Sequence, residues 1–221
     1  MSTISTPSSR SIWICRIFDE CLEMNFLAHC ALGGDDDDLV VGGFLGDFIK
    51  GPVPADLPGR IGLGVRLHRR IDAFSAVQPQ LKDSATRFGP ELRRVAPVVV
   101  DLVADHFLAR RFEAIHGEPL DEFAARTYAL LGTRDHLFSS RAKRFHAALR
   151  ANRVFQRYTE LGTVARAMGH IAQRLNMDEL VSEAMAVIEA DYEDLAVDFL
   201  AYYPDLCDHA NAFVEDADTQ R

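Results

Sequence analysis

The sequence predicts an all-α protein, a single-domain helical bundle over residues 24–215 that follows an N-terminal extension. Three observations lead there. Apolar residues recur at steps of three and four along most of the chain, which puts them on one helix face. No run shows the sustained alternation that a half-buried strand needs. The 221 residues, 48% hydrophobic and 26% charged, suffice for about one domain with an ordinary core.

Taken in order, residues 1–23 open on the polar, Ser/Thr-rich "MSTISTPSSR" and predict a disordered extension or a misplaced start. Met24 begins "MNFLAHCALGG", a short helix that stops at a Gly pair. "DDDDLVVGGFLGDFIKG" carries acids where a helix N-terminus favours them and Gly51-Pro52 past its end. In "PGRIGLGVRLHRRIDAFSAVQP", Ile61, Val65, His68 and Asp72 share a face, and the helix ends before Pro79. "PQLKDSATRFGPELRR" predicts a short helix with a Gly-Pro turn. "APVVVDLVADHFLARRF" follows, with Pro97 tolerated in its first turn. "PLDEFAARTYALLG" is an acid-led helix with Gly132 as its stop. "SSRAKRFHAALRANRVFQRY" and "ELGTVARAMGHIAQRL" are amphipathic, and "MDELVSEAMAVIEADYEDLAVDFLAYYP" predicts one long helix ending at Pro204.

Composition excludes some functions. A formal net charge of −9 argues against non-specific nucleic-acid binding. No apolar run reaches the roughly 20 residues of a membrane span. The four cysteines form no CxxC pair, which points to a reduced, cytoplasmic setting.

Several helices carry chemistry on apolar faces. Asp101 and Asp105 stand one turn apart, with His106 a step further round. His68 and Asp72 form another i,i+4 pair. Asp47 lies near the end of the Gly-rich helix, and His29 follows "NFLA". Buried carboxylates are costly unless paired or metal-bound, so one divalent cation would satisfy several of these groups at once. Each has a plainer reading: a hydrogen-bonded core histidine for His29, an ordinary helix-surface pair for His68 and Asp72, a cap on a neighbouring helix or an ion pair with Lys50 for Asp47. His116, His136, His146, His170 and His209 read as surface residues.

From Met24 onward the chain resembles the acyl carrier protein phosphodiesterase (acyl carrier protein hydrolase) family. The pieces that carry the resemblance are "MNFLAH", "GGFLGDFIKG", "LHRRIDAF", "RRVAPVVVDLVADHFLAR" and "FLAYYP", in that order, over most of residues 24–204. The resemblance implies a divergent, HD-domain-like metal phosphohydrolase. Here the adjacent pair reads Asp105-His106 rather than His-Asp. The implied reaction is hydrolysis of the phosphodiester that joins 4′-phosphopantetheine to a serine of holo acyl carrier protein, a step in the lipid and fatty acid pathways.

The resemblance carries Asp47 over first, and His29, His68, Asp72, Asp101, Asp105 and His106 as positions within matched motifs. The expected metal ligands are His29, Asp47, His68, Asp101, Asp105 and His106, with Asp47, His68 and Asp72 catalytic. Asp72 or Asp101 could instead orient a ligand. The expected ion is Mn²⁺, with Mg²⁺ as the alternative, because no thiolate competes and the donors are oxygen and imidazole. Arg69, Arg70, Arg93 and Arg94 are candidates for gripping the phosphate or docking an acidic carrier, against a plain reading as solvated helix edges. Two other functions compete: an HD-like phosphohydrolase for a nucleotide or other small phosphoester, and a non-catalytic helical module for an acidic partner.

Overall fold

A computed structural model of the chain describes residues 25–177 and 179–220. The expected extension over residues 1–23 lies outside the described residues. Among those, twelve α-helices and one 3₁₀ turn (Asp135–Leu137) form an all-α domain without strands. The helices are α1 (Phe26–Ala31), α2 (Asp37–Leu45), α3 (Ile61–Ser75), α4 (Pro79–Thr86), α5 (Gly89–Leu92) and α6 (Ala96–His116). They continue as α7 (Leu120–Thr133), α8 (Ser140–Ala151), α9 (Val154–Arg157), α10 (Leu161–Leu175), α11 (Leu180–Ala190) and α12 (Tyr192–Thr219).

One contiguous apolar core runs from Phe26 in α1 to Ala210 in α12. Helix α6 forms its centre. Val99, Val103, Leu108 and Phe112 are buried on different sides, so the helix packs against neighbours nearly all round. It contacts α1, α4, α10 and α12. Local signals set several boundaries. Asp36 caps α2, its Oδ1 accepting from the N–H of Asp38 (3.0 Å) and Leu39 (3.2 Å), a contact worth about 1 kcal/mol. Pro79 and Pro97 occupy first turns, where a missing N–H costs nothing. Gly117 ends α6 in the left-handed conformation, and Asn176 ends α10 the same way.

Three expected boundaries move. Gly132 is not a stop: α7 runs through it to Thr133. The stretch from Ser139 to Tyr158 is two helices, because Arg153 takes a left-handed φ of 49° between α8 and α9. The long C-terminal segment breaks at Asp191, and its second half, α12, continues past Pro204 to Thr219. Pro204 is exposed, as is Leu200, whose carbonyl loses its N–H partner, so water can take that carbonyl. Tyr202, Tyr203, Leu206 and Ala210 meanwhile hold the opposite face in the core. Two histidines read as surface residues, His146 and His170, are buried.

The packing that positions the candidate site is the crossing of α2 and α3. A Cβ on Gly42 would stand 2.5 Å from the Cα of Gly64, and one on Gly64 would stand 2.8 Å from the Cα of Gly42. The two backbones therefore touch where neither residue has a side chain. One turn further along each helix, Gly46 faces the His68 ring at a distance where a Cβ would overlap it, 2.1 Å from Cγ. The glycines that look like helix weakeners in "GGFLGD" are what let α3 seat its histidine against α2.

Candidate metal centre

His29 comes from α1 and His68 and Asp72 from α3. Asp47 comes from the turn after α2. The His29 and His68 rings stack with centroids 3.8 Å apart and planes inclined by 27°. Asp72 bridges them: Oδ1 lies 3.1 Å from His29 Nε2 and Oδ2 lies 3.3 Å from His68 Nε2. One potential ligand atom from each of the three residues falls within 4.8 Å of the others. Asp47 adjoins the cluster, with Oδ1 3.8 Å from His68 Nε2, an ion-pair distance rather than a hydrogen bond.

The orientation of His68 has a local cause. Its Nδ1 lies 3.0 Å from the carbonyl oxygen of Gly43. A carbonyl only accepts, so Nδ1 carries the proton and donates. Nε2 is then turned toward Asp47 and Asp72, the arrangement in which a second partner would fix the tautomer of a ligand histidine. Burial alone would lower the His68 pKa. The hydrogen bond to Asp72 and the charges of Asp47 and Asp72 outweigh it and raise the pKa above the ordinary histidine value. Burial likewise pushes Asp72 up, but hydrogen bonds with His29 and His68 prevail and hold its carboxyl well below the usual range. Asp72 is also the open side of the cluster: its side chain is 43% exposed, against 1% for His29 and 3% for His68 and Asp47. A cation could therefore be approached from that side.

Asp105 and His106, expected as ligands, are engaged elsewhere. Helix α1 begins at Asn25, whose side chain makes no capping bond. Its buried first-turn N–H groups need an acceptor. Asp105 supplies it: Oδ2 accepts from Leu27 N–H at 3.2 Å and Oδ1 from Ala28 N–H at 3.1 Å. Burial nonetheless dominates and pushes the Asp105 pKa well up. His106 spends both ring nitrogens, Nδ1 on the carbonyl of Tyr158 (2.7 Å) and Nε2 on the hydroxyl of Tyr192 (2.8 Å). Burial lowers its pKa, as suits a neutral ring that donates from Nδ1 and accepts from Tyr192. Asp105 thus anchors the helix that carries His29, and His106 ties α6 to the start of α12.

Asp101 reaches the site from another direction. It lines a cleft of about 260 Å³ together with Asp72, Ser75, Lys82 and Val100. Arg69 donates to the carbonyl of Ile49 at 2.8 Å and so clips the segment after Asp47 onto α3. Arg70 donates to Nε2 of His209 at 3.1 Å, and Arg93 and Arg94 are exposed on the turn before α6. Lys82 and Ser75 were not anticipated. Neither belongs to a recognisable motif, and only the packing of α4 against α6 brings Lys82 to the cleft that Asp72 lines.

A buried pair of stacked imidazoles sharing one half-exposed carboxylate, in an all-helical frame, is a group of side chains that could hold a metal ion. The family profile described as acyl carrier protein phosphodiesterase matches residues 24–206, and the chain belongs to that family. It is 31% identical to the acyl carrier protein phosphodiesterase of Yersinia pestis over 182 residues, 82% of this chain and 94% of the relative. The protein of the same name from Klebsiella pneumoniae subsp. pneumoniae is 31% identical over 186 residues, 83% of this chain and 95% of the relative. That of Serratia proteamaculans is 28% identical over 190 residues, covering 85% and 97%. No solved structure matches the chain.

Proposed function

We propose that this protein hydrolyses the phosphodiester between 4′-phosphopantetheine and serine in holo acyl carrier protein, with a divalent cation held by His29, His68, Asp72 and Asp47. Family membership supports the substrate and reaction. The observation that carries the chemistry is Asp72 spanning the Nε2 atoms of His29 and His68. Such a donor set fits the group: two imidazoles oriented by their surroundings, one shared carboxylate and a second carboxylate beside it. Two nitrogen donors favour Mn²⁺ over Mg²⁺, which prefers oxygen.

Bound there, the cation would supply charge neutralisation at the phosphoryl group and acidify water. The chain's own residues do the rest. Gly43 holds the His68 tautomer, Asp105 holds α1 and with it His29, and Arg69 holds the turn that presents Asp47. Asp47, 3% exposed with Oδ1 3.8 Å from His68 Nε2, would complete the donor set. Water oxygen forms the new bond to phosphorus, the bond to serine oxygen breaks, and the serine leaves with a proton. Products are apo carrier and 4′-phosphopantetheine. Among the described residues no helix is long and apolar enough to cross a membrane. The thiols of Cys30 and Cys207 are free. Both suit a cytoplasmic enzyme with a cytoplasmic protein substrate. Arg70, Arg93 and Arg94 are the cations we assign to docking the acidic carrier.

The test is incubation of purified protein with holo carrier and Mn²⁺, followed by mass spectrometry of the carrier. Loss of the prosthetic arm, abolished by excess chelator, is the expected result. An intact arm, or full turnover in chelator, contradicts the proposal.

A further inference from the structure

The cleft beside the metal centre is not required to hold a cation, yet it shares Asp72 with that centre. It lies between α3, which contributes Asp72 and Ser75, α4, which contributes Lys82 and Ala85, and α6, which contributes Val100 and Asp101. Its volume of about 260 Å³ sits just under the roughly 300–1,000 Å³ of pockets that take small ligands. An α-helix, about 10–12 Å across with its side chains, does not fit such a space. A slender chain does. The walls mix two characters. Ala85 and Val100 offer apolar surface, Ser75 offers a hydroxyl hydrogen-bonded to Tyr202, and Asp101 a carboxylate. Lys82 is exposed and adds a cation on the same cleft as Asp72.

We propose that this cleft is the seat of the prosthetic arm: a phosphate-bearing amphipathic chain with amide groups lies between α3, α4 and α6, its phosphate toward Asp72 and the metal centre and paired with Lys82. The assignment rests on the reaction proposed above. It divides the substrate in two, the arm inside the cleft and the folded carrier outside it. Apolar stretches of the arm cover Ala85 and Val100, and its amide N–H groups have acceptors in Asp101 and Ser75. Selectivity for a diester bearing this arm then comes from α4 and α6, while the cation donors come from α1 and α3.

The experiment is calorimetric titration of 4′-phosphopantetheine into the Mn²⁺-loaded protein and into Ala85→Phe and Lys82→Glu, with helicity and melting checked for each. Lys82 is solvent-exposed, and Ala85 is half-buried at the edge of the core, so melting decides whether Ala85→Phe keeps the fold. Wild type should bind, and each variant should bind at least tenfold more weakly. In Ala85→Phe the ratio of turnover on holo carrier to turnover on bis(4-nitrophenyl) phosphate, which has no arm, should fall by a similar factor. No binding to wild type, or wild-type affinity in both folded variants with an unchanged ratio in Ala85→Phe, overturns the assignment. A wild type that binds the arm through these residues yet leaves holo carrier intact would instead remove the proposed reaction and keep the cleft.

Discussion

The corner built by His29, His68 and Asp72 and the corner built by Asp105 and His106 start from the same residue types on apolar helix faces. Their fates differ because of what the backbone around them lacks. At α1 the first-turn N–H groups of Leu27 and Ala28 have no local cap, and Asp105 is drawn onto them. The carbonyl of Tyr158 and the hydroxyl of Tyr192 absorb both nitrogens of His106. At the other corner only one nitrogen of His68 is spent, on Gly43, and its Nε2 meets carboxylate rather than backbone. One corner is closed by the protein's own hydrogen bonds; at the other, three potential ligand atoms lie within 4.8 Å of one another. The His68 pKa is raised and the His106 pKa lowered, which follows from charged neighbours in the first case and burial in the second.

The comparison can be broken most forcefully at His68. His68→Ala should lower turnover on holo carrier by on the order of 10³-fold and strip the metal, as read by kinetics and elemental analysis. A variant retaining both would place the centre elsewhere. Next in size is Gly46→Ala. Its Cβ would overlap the His68 ring, so the ring must shift, and Mn²⁺ affinity should fall about 10–100-fold as for lost supporting contacts. Unaltered affinity would mean that the close α2–α3 approach does not position the ligand.

At the closed corner the effects should appear in stability. Asp105→Ala leaves two buried N–H groups unsatisfied, and His106→Phe strands a buried carbonyl. Each should cost about 1–3 kcal/mol per group, measured by denaturant unfolding, with metal stoichiometry unchanged. Loss of metal in folded His106→Phe would return that residue to the ligand set.

The smallest expected effect is on pH dependence. A histidine whose folded pKa is depressed binds fewer protons folded than unfolded, so stability is lost as pH falls from about 6.5 through the folded value. For His68, raised, the sign reverses: its contribution in the metal-free protein is full below about 6.5 and is lost as pH rises through the folded value. Melting curves across pH 5–8 should therefore show a shallower acid-side decline in His106→Phe than in the wild type. An identical slope would mean that His106 titrates normally.

Much of this was legible in the chain. The helices over Asp37–Leu45, Ile61–Ser75 and Ala96–His116 follow from periodicity, acids and prolines at the places expected. The pairing of His68 with Asp72 follows from one helical turn, and the apolar settings of His29 and Asp47 marked them as groups needing a partner. The fate of Asp105 and His106 was not legible. Both sit on the same helix with the same periodic credentials as a ligand pair, and only tertiary packing reveals that Tyr158, Tyr192 and the α1 backbone claim them. Pro204 misled for a related reason: propensity marks a stop, but packing on the far face carries α12 through. Lys82 gave no signal because its neighbours are set by how three helices meet.

Whether the cation lies at the open corner is tested most directly by Mn²⁺ bound per folded chain in wild type, His29→Ala, His68→Ala and His106→Phe after equilibrium dialysis. The account predicts binding in the wild type and His106→Phe and its loss in His29→Ala and His68→Ala, with helicity preserved in all four. Retention of Mn²⁺ by both His29→Ala and His68→Ala would contradict it.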